Sequence, residues 1–366
     1  MFVIFIAHTP GNSWNDWIPA RFGFSSGTEL FVFCSGVASA GAFGRVYRKS
    51  GWLLGSAKVL RRIWQIYWVQ MAMAIASVGI AVLAAPIVGP TALARFAPLA
   101  EHGATAVAAL AGLVWLPEFL DILPMYMVIL GLLALFEASA RLDRRLPLLL
   151  SASLWIFVQV HGLAFTGDWW TGDPWFLNPF AWQFCFMLGY SFAGGTLPVP
   201  RWRSPGLVTV SLAICLVAFP LSFQPLVDGF PVLRAIQAEI LPVSAKTDLA
   251  PVRMIHFLAL AYLVLGLVAP FAKRLDRGLG APFVRIGRQS LAAFVASIVA
   301  AEIGGFVLAV LGSGPALTAV VNLAGFAVLL ATATTVSWFK REPWSMQRAM
   351  SGTHLAPETA KPLRSG

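Results

Sequence analysis

Residues 1–44 read MFVIFIAHTPGNSWNDWIPARFGFSSGTELFVFCSGVASAGAFG, and this stretch decides the class of the fold. An apolar run closes on His8, an aromatic and glycine-rich loop follows, and a carboxylate, Glu29, sits inside the next apolar run. An ionisable side chain within a hydrocarbon-length segment costs roughly 3 kcal/mol on translocon scales, so it is rare unless it serves something. His8 and Glu29 are therefore the first candidates for function.

The remainder of the chain has the same texture. With 58% hydrophobic residues, 11% charged ones and a mean hydropathy of +0.77, its 366 residues are too apolar for a soluble globular protein. The expected fold is all-α, a polytopic integral membrane helical bundle in the lipid bilayer. A spanning helix needs about 20 largely apolar residues. The intervals that meet this need are 28–44, 63–85, 122–140, 146–165, 179–197, 206–224, 254–272, 289–311 and 316–339. Residues 1–7 look like the end of one more, giving about ten transmembrane helices with the first truncated. Seven residues cover only about 10 Å of a core about 30 Å thick, so the natural protein is expected to begin upstream of Met1. The stretch 104–116 suits an interfacial or re-entrant helix better than a span. Residues 1–340 thus form one transmembrane domain, and 341–366 a short polar tail for which no function is expected.

Charge sets the orientation. The net charge of +10 does not indicate nucleic acid, because the basic residues lie in short clusters between apolar runs rather than on one soluble face. All of the 26 Lys and Arg except Arg21, Arg95, Arg234, Lys246 and Arg253 fall in alternate loops or the tail. The positive-inside rule places those loops and the C-terminus in the cytoplasm. Cys34, Cys185 and Cys215 sit in apolar runs, read as packing residues, and show no metal-ligand spacing.

His8 precedes Thr9, Pro10, Gly11 and Asn12, so it stands where a helix ends and the backbone opens into a polar loop. A histidine there exchanges protons near neutral pH and reads as a general base, or as a structural group. Asp121, Glu137, Gln159, His161, His256 and Glu302 also lie at membrane depth or just outside it, where they face a shared interior or bond between helices. The outer segments GNSWNDW and GDWWTGDPWFLNP carry Trp14, Trp169, Trp170 and Trp175 among Asp and Asn. They read equally as interfacial anchors and as a carbohydrate groove. Lys246, Asp248 and Arg253 lie just ahead of His256, facing outward against the charge bias. They read as an anion site or as a salt bridge to Asp248. On the inner side, Arg285 and Arg288 precede a helix N-terminus, where a phosphate would be held; positive-inside charge explains them as well.

The blocks AHTPGNSW, FGFSSGTELFVFCSG, EFLDILPMYMVILGLLALFE, NPFAWQFCFMLGY, KTDLAPVRMIHFLALAYL, VRIGRQSLAAFV and REPW resemble, in the same order, the OpgC family, from Ile4 to Trp344. That family is associated with succinylation of osmoregulated periplasmic glucans and is similar to the acyltransferase family three of integral-membrane acyltransferases. The resemblance implies ten spanning helices in a bacterial inner membrane, an acyl-CoA donor in the cytoplasm, succinyl-CoA above all, and a periplasmic glucan acceptor. No bound cofactor or metal is implied. The family's first helix carries an arginine, ten intervening residues and then a histidine; His8 matches the histidine, and the arginine falls before Met1.

On this basis His8 takes the proton from a sugar hydroxyl attacking the thioester, and Glu29 or Asp121 orients its imidazole. Arg253 or Lys246, with Asp248 and His256 beside them, holds the acyl carboxylate or guides an anionic product. Arg285 and Arg288 contact CoA phosphates, and the four tryptophans line the glucan groove. A secondary transporter of a small anionic or sugar solute is the alternative, although no inverted repeat or paired broken helices are visible. A structural partner in a glucan assembly is the third reading.

Overall fold

In the computed structural model, which describes residues 1–342 and 344 apart from 203 and 276, the chain is helical. An isolated bridge joins Thr166 to Pro174, and no strand occurs among the described residues. The principal helices are α1 (Phe2–His8), α2 (Gly27–Ser39), α3 (Arg45–Val88), α4 (Ile122–Ser139), α5 (Leu146–His161), α6 (Pro179–Gly194), α7 (Pro205–Ser222), α8 (Pro251–Val268), α9 (Ser290–Leu311) and α10 (Pro315–Phe339). Each interval expected to span holds one of α2–α10. Among the described residues six stretches are long and apolar enough to cross a membrane, the first of them, Gly27–Val88, interrupted at Gly51, while α5 is a shorter apolar helix. Most of the expected tail, and Arg203, lie outside the described residues. The stretch 104–116 is helical only over Ala104–Ala111, eight residues, too short to cross.

Local chemistry sets the helix ends. Proline occupies the first turn of α5, α6, α7, α8 and α10, where its missing N–H costs nothing. Ser26 and Glu29 form a capping box on α2, and the Asn178 side chain accepts from the Phe180 amide to start α6. α5 and α6 stop at Gly162 (φ 65°) and Gly195 (φ 76°), both left-handed.

The sequence reading placed 45–62 in a loop; the structure makes it helical. Lys and Arg are good helix formers, and little in the segment resists. α2 passes through a π-helical turn, Ala40–Gly44, into α3, and the chain reverses at Gly51 (φ 81°, ψ 175°). Lys58 Nζ then donates to the Ala42 carbonyl at 2.9 Å, and Tyr47 packs on Gly55. The basic residues of this turn therefore project from two antiparallel helix ends.

Small residues let the helices approach closely, as expected where lipid supplies no hydrophobic drive between them. α2 and α6 pack backbone to backbone: a Cβ on Gly36 would strike the Phe186 carbonyl, and one on Gly189 the Phe33 carbonyl. α1 lies against α9 and α10, with Pro10 on Gly305 and Phe5 on Gly325. Buried polar pairs lock other contacts. Asn12 and Asn322 exchange two amide bonds (2.8 and 3.1 Å), and Glu302 pairs with Arg95 while accepting from Ser77 Oγ at 2.8 Å. The basic helix ends meet one another: Lys340 Nζ donates to Gln289 Oε1 at 2.7 Å, joining the end of α10 to the start of α9. All three cysteines are free, and Cys185 is buried in the α2–α6 contact.

Candidate active site

At the end of the bundle away from the basic helix ends, a non-helical segment, 245–250, enters the protein. Every polar backbone group at such depth needs a protein partner. Gln159 Nε2 donates to the Asp248 carbonyl (2.7 Å), and Trp155 Nε1 to the Leu249 carbonyl (3.1 Å). Trp182 Nε1 reaches the Lys246 and Thr247 carbonyls (both 3.1 Å), and the Asn178 amide donates to Thr247 (3.0 Å). Leu249, fully buried, adopts φ 47°, so the segment is held in a tight left-handed turn by α5 and α6. Gln159 thus serves structure.

This turn carries Lys246 in among charged groups. His8, Asp121, Glu29 and Arg253 all lie within its electrostatic reach. The Lys246 ammonium sits 5.2 Å over the Phe176 ring and makes no hydrogen bond or direct ion pair among the described residues. Burial pushes it below the ordinary lysine range, with Glu29 and Asp121 opposing the shift and Arg253 adding to it. Asp121, preceding α4, is pushed above the usual carboxylate range by burial, opposed by its own backbone amide and by Lys246.

His8 ends α1. Its Nδ1 stands 2.7 Å from the Ile4 carbonyl oxygen, which only accepts, so Nδ1 carries the hydrogen. In the neutral ring Nε2 then holds the lone pair. The ring meets Phe119 edge-on at 5.0 Å. The expected orienting carboxylates are not used for this: the Ile4 carbonyl one turn back fixes the imidazole, and Glu29 is engaged elsewhere. Glu29, with no exposed surface, pairs through Oε1 with Arg253 Nη1 at 2.8 Å, and its Oε2 accepts from the Ser26 amide (2.7 Å) and hydroxyl (2.8 Å). Arg253 Nε donates to the Ser244 carbonyl at 3.1 Å.

Several expected site residues have other work. Asp248 does not pair with Lys246 or Arg253; its Oδ1 accepts from Asn178 Nδ2 at 2.8 Å and fastens the turn. His256 is buried with its Nδ1 accepting from the Ser25 amide (3.3 Å) and beside the Ser25 hydroxyl (2.8 Å), which clamps the loop before α2. Trp175 is 5% exposed, packed on Phe165 and Gly167, and Trp170 stacks on His102 at 4.3 Å. Trp14 and Trp169 keep open faces, at 36% and 63% exposure.

At the basic end, a pocket of about 410 Å³ opens between α2, α3, α4 and the start of α9. Lys58, Arg61, Arg62 and Gln65 of α3 line one side, with Ser39, Tyr126 and Ser290 across it. Arg285 and Arg288, expected to hold phosphate, do not line it; Arg285 Nη1 donates to Thr334 Oγ1 at 3.2 Å. The start of the helix they precede does line it, through Ser290 and Leu291. The α3 basic residues were passed over as orientation charges because only the reversal at Gly51 turns them towards α2 and α4.

A family model described as OpgC protein matches residues 1–341. No curated protein and no solved structure matches the chain.

Proposed function

The chain belongs to the OpgC family, and on that premise we propose that it is a membrane acyltransferase that modifies periplasmic glucans, moving a succinyl group from succinyl-CoA to a sugar hydroxyl. The family supports an OpgC-type role in glucan modification; donor, acyl group and base are our reading of the site. The observation that carries it is the His8 imidazole, whose Nδ1–H is tied to Ile4 while its Nε2 keeps a lone pair, within electrostatic reach of the Lys246 ammonium, which makes no hydrogen bond among the described residues.

The reaction follows from that arrangement. A glucan hydroxyl gives its proton to His8 Nε2 as its oxygen bonds the thioester carbonyl carbon. The C–S bond then breaks, and the imidazolium returns the proton to the departing thiolate. General-base assistance of this kind contributes about 10²–10⁴-fold. Lys246 is the cation for the free carboxylate of the acyl group, since its charge is otherwise uncompensated by direct contact. Arg253, neutralised by Glu29, positions that corner of the site instead of binding substrate. Trp14 and Trp169 offer ring faces to the glucan. The Lys58, Arg61 and Arg62 pocket takes the donor's phosphates, on the side that the positive-inside rule assigns to the cytoplasm of a bacterial inner membrane.

The test is mass spectrometry of periplasmic glucans from cells lacking the gene, complemented with the wild-type gene or with His8→Ala. A succinyl-sized mass increment restored by wild type and absent with equally abundant His8→Ala supports the reading. Glucans unchanged by the deletion, or acylated in full by His8→Ala, overturn it.

A further inference from the structure

On the proposed function the donor connects the basic pocket to His8, and close to that pocket one buried side chain keeps an acceptor without a partner among the described residues. Gln70 of α3 has no exposed surface. Its Nε2 donates to the Leu120 carbonyl at 2.8 Å, while Oε1 has no hydrogen-bond partner among the described residues. Because a carbonyl only accepts, Nε2 is fixed on Leu120 and the orphan is an acceptor. Buried polar groups are nearly always paired, so an orphan inside a membrane bundle points to a partner that arrives with a ligand.

Its place in the bundle identifies that partner. Gln65 and Leu123 line the basic pocket. Gln70 lies about 7.5 Å further along α3 than Gln65, and Leu120 is about one turn beyond Leu123 on the chain leading into α4. The Gln70–Leu120 bond therefore stands just past the pocket, at the residue before Asp121, which lies within electrostatic reach of Lys246. What crosses this level in a CoA thioester is the arm between the phosphates and the sulfur, whose hydrogen-bond donors are amide N–H groups.

We propose that Gln70 is a donor-binding residue whose Oε1 accepts a hydrogen bond from an amide N–H of that arm. The inference rests on the donor reading above and adds a residue and a selectivity: the site reads the arm, as well as the phosphates and the acyl group.

The experiment compares two succinyl thioesters, one of CoA and one of an analogue whose arm amides are replaced by esters, with phosphates unchanged. Wild-type protein in membranes is expected to show a KM about tenfold lower for the CoA thioester, and Gln70→Met to reduce that ratio to near one. A ratio near one in wild type overturns the inference. So does a Gln70→Met ratio equal to wild type, because a purely structural role through Leu120, or a resident water on Oε1, lowers activity towards both donors alike. Should Gln70→Met fail to fold, Gln70→Leu, apolar and of similar volume, takes its place with the same two outcomes. Wild-type protein that transfers from neither thioester overturns the donor reading itself and this inference with it.

Discussion

Replacing Glu29 with Gln removes one charge from the pair at the head of α2 and leaves the Arg253 guanidinium, its side chain 15% exposed, without a counter-ion at 2.8 Å. Breaking a buried ion pair by removing one partner costs about 3–5 kcal/mol. The capping role is mostly kept, since a Gln amide oxygen still accepts from Ser26, so loss of the cap contributes under about 1 kcal/mol. Glu29→Gln is therefore expected to be destabilised by about 3 kcal/mol or more. Glu29→Met combined with Arg253→Met should recover much of the loss, because an apolar pair of similar volume leaves no buried charge. The measurement is reversible unfolding in mixed micelles titrated with sodium dodecyl sulfate, followed by tryptophan fluorescence, on wild type, both single Met variants, the double variant and Glu29→Gln. A coupling energy above about 2 kcal/mol is expected from the cycle. Strictly additive single effects, or Glu29→Gln within about 1 kcal/mol of wild type, would refute the assignment of Arg253 and Glu29 as a mutually neutralised pair.

Because burial lowers the pKa of Lys246, its ammonium is lost as pH rises through a value below the usual lysine figure of about 10.4; succinyl transfer should fall along that limb, and Lys246→Arg, always charged, should move the limb to higher pH in the pH–rate profile. Gly36→Leu should prevent close packing of α2 on α6, since even a Cβ meets the Phe186 carbonyl, and yield of folded protein by size-exclusion chromatography should collapse, whereas Gly41→Ala, with open space, should leave it unchanged. Arg61→Gln with Arg62→Gln should raise the KM for the CoA donor by about tenfold or more while leaving the KM for glucan within twofold, as measured by initial-rate kinetics.

The helices were legible in the sequence because they are local. Apolar runs of spanning length alone located them; the proline first turns, the Ser26–Glu29 cap and the stop glycines Gly162 and Gly195, seen in the structure, act within a few residues and set the helix ends. His8 and Glu29 stood out for the same reason, as polar groups inside apolar runs. Gln70 meets that criterion too, as a polar group inside the apolar run 63–85. The basic stretch 45–62 was misread as a loop because cluster charge marks a membrane boundary without saying whether the backbone at that boundary is coiled or helical.

Partnership was not legible, and there the expectations divided. Asp248 and His256 carry chemistry that would suit a substrate site, yet the tertiary structure gives them Asn178 and Ser25. Glu29, expected near the imidazole, faces Arg253 instead. The sequence by itself determined an all-α membrane bundle, the clustering of its basic charge between apolar runs and the identity of the residues too polar to lie in lipid, because hydrophobic burial depends on composition and near neighbours. Only the tertiary structure decided that Lys246 comes within electrostatic reach of His8 and Asp121 while Arg253 takes Glu29, because this depends on how far a turn at 245–250 can enter the bundle, and its depth is set by hydrogen bonds from α5 and α6, remote in the chain.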